Sequence, residues 1–118
     1  MKHSFVEICI YEVKLNKTEE FEALLDKVAK HHRDFPGVID VRYMKRTHRH
    51  TNFNAVRNGE PAMRLTRPSN LVTYVLYWEL NDEIAHGKAT KSGLERFYKD
   101  FGRCLASMPK IILGKRIQ

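Results

Sequence analysis

Two segments of ten residues constrain this chain more than anything else in it. Leu71 to Leu80, LVTYVLYWEL, puts Val72, Tyr74, Leu76, Trp78 and Leu80 on one face of an extended strand, and Leu71, Thr73, Val75 and Tyr77 on the other. Phe5 to Lys14, FVEICIYEVK, sets Phe5, Cys9, Tyr11 and Val13 against Val6, Ile8 and Ile10. Their β-branched and aromatic content favours strand over helix. A strand that is apolar on both faces has to be covered on both faces. Any fold proposed for the chain must therefore supply two layers of cover.

The rest of the sequence supplies one of them. Thr18 is placed to cap a helix over about residues 18–34. Glu19 and Glu20 fall in its first turn, where carboxylates favour the helix dipole. Phe21, Leu24, Leu25, Val28 and His32 recur at helical spacing and form one stripe, which Phe35 continues until Pro36-Gly37 ends it. Val38 to Lys45 alternates as a second strand, with Ile39, Val41 and Tyr43 facing one way and Asp40 and Arg42 the other. After Leu80, Asp82 caps a short helix running to about Thr90. Ser92-Gly93-Leu94-Glu95 reads as a capping box that opens another helical run with Leu94, Phe97, Tyr98, Phe101 and Leu105 as its stripe. Pro109 stops that run, and Ile111-Ile112-Leu113 begins a last strand reaching about Ile117.

The order is β-α-β-β-α-β, the ferredoxin-like arrangement of an α+β domain. Right-handed crossovers put both helices on one face of a four-stranded antiparallel sheet. The other face is left bare, although strands one and three are apolar there too. A patch of that kind marks an interface, so the expected partner is a second copy, sheet against sheet.

With 118 residues the chain suits one domain, 1–118, and 42% hydrophobic residues suffice for a core. No apolar run approaches the roughly 20 residues needed to span a bilayer. The basic start, Met1-Lys2-His3, is followed by an apolar stretch broken at Glu7 and Glu12, a poor signal peptide. Cys9 and Cys104 form no C-x-x-C pair and are expected as free thiols. The expected location is the cytoplasm.

The net charge of +7 is local: from Arg42 to Arg67 there are seven basic residues against Glu60 alone, an excess of six. Most of that run belongs to residues 48–69, which lack a clear period and read as a long loop, with a small hairpin at Asn58-Gly59 and rapid amide exchange expected. His48 and His50 could start a metal site, but no third ligand follows at suitable spacing, and no metal is expected. There is no Gly-rich phosphate loop and no serine nucleophile elbow.

One segment carries a resemblance. Trp78-Glu79-Leu80-Asn81-Asp82-Glu83-Ile84-Ala85-His86, followed by Ser92 and Phe97, resembles the third strand and second helix of the antibiotic biosynthesis monooxygenase-like family. Gly37-Val38 resembles that family's step into its second strand. The resemblance covers about residues 4–47 and 70–117. It implies a dimeric α+β barrel. It also implies a cofactor-independent monooxygenase acting on a bulky aromatic or phenolic molecule, with no cofactor required. On that reading His86 is the catalytic base or orienter, since an imidazole exchanges protons near neutral pH. Trp78, Tyr74 and Phe97 bind the substrate's rings.

Two departures stand out. The connection from Thr47 to Asn70 is longer than in short members. Strand one also lacks the Asn, and the second helix the Trp, that the haem-degrading branch is expected to use. Two other readings remain: a ligand-binding module without turnover, and an RNA-binding domain of the same element order. RNA recognition is disfavoured, because strand three lacks the R-G-F-G-F-like run of stacking aromatics.

Overall fold

The computed structural model describes residues 3–51, 53–66 and 69–118. Met1 and Lys2 of the basic start and Arg67 of the basic run lie outside the described residues. The elements are β1 (Phe5–Lys14), α1 (Thr18–Arg33), β2 (Val38–Lys45), α2 (Asn54–Arg57), β3 (Leu71–Leu80), α3 (Glu83–Cys104) and β4 (Lys110–Lys115). The strands form one antiparallel sheet in the order β2-β3-β1-β4. This is the ferredoxin-like α+β fold.

The two-sided strands sit at the centre. β1 and β3 pair along their whole length, with Glu7 opposite Trp78, Cys9 opposite Leu76, Tyr11 opposite Tyr74 and Val13 opposite Val72. From this row Cys9, Tyr11, Val13, Tyr74, Leu76, Trp78 and Leu80 are buried against Phe21, Leu24, Leu25, Val28, Ala89 and Phe97 of the helices. The opposite face carries Val6, Ile8, Ile10, Val75 and Tyr77, all only half-buried. On edge strand β4 the exposure is greater still: Ile111, Ile112 and Leu113 are each more than half exposed.

Three local expectations need correction. Thr18 is the first helical residue rather than the cap. A 3-10 turn, Leu15–Lys17, leads into α1, and the Thr18 hydroxyl donates back to the Leu15 carbonyl at 3.3 Å. The second helix does not break near Ser92; α3 is continuous from Glu83 to Cys104. The Ser92 hydroxyl is engaged with His31 Nε2 on α1 at 2.9 Å, and a Cβ on Gly93 would come within 2.8 Å of His32 Nε2. The Ser-Gly pair is thus a helix–helix contact, not a helix start. Asn58-Gly59 closes α2 instead of turning a hairpin, with Gly59 at φ +86°. The pairing in that connection lies nearer its base, where His48 faces Arg64. The Arg49 N–H donates to the Met63 carbonyl at 2.9 Å, and the Leu65 N–H to the Thr47 carbonyl at 3.0 Å.

Among the described residues no helix is long and apolar enough to cross a membrane.

Candidate functional site

The interior between the sheet and the two helices is not uniformly apolar. Trp78, 2% exposed, is its centre. His32, reaching in from α1, stacks on the indole with ring centroids 4.1 Å apart and 12° between the planes. His86, from the first turn of α3, approaches it at 5.2 Å. That turn is set by Asp82, whose carboxylate accepts from the Ala85 N–H at 2.8 Å. Gly93 makes room for His32, as its missing side chain would collide with the imidazole. The Phe5 ring covers His86 at 4.9 Å.

His86 has a specific partner across the core. Its Nε2 lies 2.6 Å from Glu7 Oε1 on β1, and the two side chains are 12% and 9% exposed. The Thr90 hydroxyl, one turn further along α3, is 3.5 Å from the same nitrogen. Among the described residues Glu7 makes no other ion pair within 4 Å. His86 is therefore part of the core packing, since its removal strands a buried carboxylate.

Three polar atoms in this interior are buried without a hydrogen-bond partner: the Trp78 indole nitrogen, His32 Nδ1 and the Tyr43 hydroxyl. Buried polar groups are nearly always paired, and among the described residues these three have no partner within the protein. Burial, reinforced by the charges of His31 and His86, pushes His32 down to about 4 and keeps it neutral at physiological pH. Burial, with Cys9 and Glu7 facing it, raises the Tyr43 phenol and keeps it a donor. Burial likewise raises the Cys9 thiol to about 11. Cys9 and Cys104 are both free and buried.

The residues singled out in the sequence fall in three places. Trp78 and His86 are neighbours at the core just described. Tyr74 is further along β3, packed on Phe21 at 4.9 Å, its hydroxyl donating to a Glu22 carboxylate oxygen at 2.6 Å. It opens on a groove of about 350 Å³ that Tyr43, Glu22, Asp26, Arg33 and Lys45 also line. Trp78 and His86 do not line that groove; Tyr43 spans from it toward the interior. Phe97 is buried in the seam between α1 and α3, edge-on to His31 at 5.5 Å. The described residues contain no cluster of three or more metal-ligating side chains.

Sequence reasoning passed over Glu7 and Tyr43. The signal for Glu7 was present, because it is the one acid on the face of β1 that otherwise carries Phe5, Cys9, Tyr11 and Val13. Its pairing with His86, 79 residues away, could not be read from spacing.

By sequence, no family model and no curated protein matches the chain. Solved structures do match in fold. A protein from Nitrosomonas europaea named for the antibiotic biosynthesis monooxygenases superposes with a TM-score of 0.70 at 14% identity, covering 98% of this chain and 91% of that one. SnoaB, a cofactor-independent oxygenase from Streptomyces nogalater, gives 0.63 at 13% identity over 97% and 95% of the two chains. A conserved protein from Methanosarcina mazei Go1 gives 0.70 at 16% identity over 97% and 93%. The fold is the one seen in antibiotic biosynthesis monooxygenases.

Proposed function

We propose, from the fold shared with the antibiotic biosynthesis monooxygenases, that this chain is a cofactor-independent monooxygenase acting on an electron-rich phenolic or polycyclic aromatic molecule. The observation that carries the reading is the set of unpaired donors and acceptors around Trp78. The Trp78 N–H and the Tyr43 O–H are buried and fixed before any ligand arrives, as donors that stabilise an oxyanion must be. The neutral His32 adds a third contact. The ligand's rings lie in the groove beside Tyr43 and Tyr74, with its oxygen directed at Tyr43, the residue that reaches from the groove toward Trp78.

His86 serves as base. It removes the phenolic proton, and the electron-rich anion reduces O2. A carbon–oxygen bond forms at the activated carbon, and loss of water leaves a carbonyl. For an anthrone, CH2 becomes C=O while one oxygen atom leaves as water, so the four electrons lost by carbon match the four gained by O2. The protein supplies a dry interior, a base and donors.

The working unit is a homodimer formed through the sheet face opposite the helices. Val6, Ile8, Ile10, Val75 and Tyr77 are half-buried there, and β4 adds Ile112, opposite Ile8 and more than half exposed. Two free, buried thiols suit a reducing cytoplasm.

Oxygen-electrode assays with anthrone and a panel of polycyclic phenols test this function. The expected result is saturable O2 uptake, one O2 per anthrone oxidised. Failure to consume O2 above the uncatalysed rate with every member of the panel would reject it.

A further inference from the structure

Burying a carboxylate opposes folding by several kcal/mol unless it is well paired, and a hydrophobic replacement of similar size is often as stable or more so. Glu7 is such a carboxylate. It sits in the centre strand opposite Trp78 on one side and Leu113 on the other, and no Lys or Arg pairs with it among the described residues. Its partner within hydrogen-bond distance is one imidazole nitrogen. A purely structural contact between β1 and α3 does not require a charge at this position.

We infer that Glu7 is the positioning residue of the site: by accepting the Nε2 proton of His86 it fixes the ring's tautomer and reserves Nδ1 as the nitrogen that takes the substrate's proton. The inference rests on the reading of His86 as the base. An ionised carboxylate only accepts, so a nitrogen held 2.6 Å from Glu7 Oε1 is the one that carries hydrogen. A neutral imidazole has one lone pair, which this contact assigns to Nδ1. Phe5 and Trp78 flank the ring and limit its rotation. The Thr90 hydroxyl lies 3.5 Å from Nε2 and fits either tautomer. When the substrate O–H gives up its proton, Nδ1 binds it and the ring becomes an imidazolium. The negative charge of Glu7 then offsets the new positive charge inside the core, and the proton later leaves with the water formed from O2.

Two measurements test this separately from the enzymatic reading. Proton NMR of the wild-type protein should show a far-downfield, exchange-protected imidazole N–H, and that resonance should be absent from Glu7→Gln and from His86→Gln. Its absence from the wild type, or its persistence in Glu7→Gln, overturns the pairing whether or not a substrate is known. With a substrate that turns over, Glu7→Gln should lower kcat by about 100-fold or more and leave KM nearly unchanged, the range expected for a disabled general base. A Glu7→Gln enzyme that keeps kcat while His86→Gln loses it overturns the positioning role and leaves the base intact. If His86→Gln itself keeps full kcat, the reading of His86 as base has failed instead.

Discussion

His32 makes the protein acid-sensitive in a window set by its surroundings. In the unfolded chain an imidazole gains its proton near pH 6.5, whereas in the folded protein the value falls to about 4. Desolvation between α1 and β3 is the main cause, and the neighbouring imidazoles of His31 and His86 add to it. Glu7 offers no relief, since its carboxylate is engaged by His86. Between those two values the unfolded chain binds a proton that the folded protein refuses, so stability falls as pH falls. At 1.36 kcal/mol per unit, the loss between pH 7 and pH 4 amounts to about 3 kcal/mol. That is a large share of the 5–15 kcal/mol typical of domains.

The assay is urea unfolding at pH 7, 6, 5 and 4, followed by the fluorescence of Trp78, the only tryptophan in the sequence. Carboxylates also begin to titrate near the lower end of this range, so the comparison is with His32→Leu, which keeps the bulk and cannot titrate. The variant starts less stable at pH 7 because it loses the stack on Trp78. The gap should then close, by about 3 kcal/mol, as pH is lowered to 4. Two curves that run parallel from pH 7 to pH 4 would show that His32 does not carry the acid sensitivity.

Further outcomes follow from the same packing. Gly93→Ala gains about 1 kcal/mol of helix propensity but drives a methyl against His32; a net loss of about 1–2 kcal/mol is expected by thermal or urea unfolding. His86→Ala should cost about 1–3 kcal/mol because it leaves Glu7 buried and unpaired. The double variant Glu7→Leu, His86→Ala should recover part of that loss, which a double-mutant cycle in urea would measure. Val75→Asp puts a charge on the bare sheet face and should convert a dimer to monomer or unfolded chain in light scattering.

The fold was legible because the two central strands are apolar at a period of two on both faces, a pattern that leaves few architectures. Residue period also located α1, whose stripe from Phe21 to His32 is the buried one. It misled at Ser92-Gly93, where the residues of a helix cap serve a contact between helices. A cap and a close approach favour the same small and polar residue types, so only the tertiary arrangement separates them. The site was legible in part. Trp78 and His86 meet as neighbours, while Tyr74, four residues along the same strand, is engaged by Glu22 on α1. Glu7, His32 and Tyr43 join the site through contacts between elements far apart in sequence, which no local pattern encodes.

The proposed oxygen chemistry of the polar interior around Trp78 and His86 leaves its mark in the fate of the two atoms of O2. Mass spectrometry of product formed from anthrone under 18O2 tests it most directly. One 18O atom is expected in the new carbonyl and the second in water, with both lost in His86→Gln. Saturable quenching of Trp78 by the same compound, with no 18O incorporated above the uncatalysed background, would contradict it and leave a ligand-binding protein in place of an enzyme.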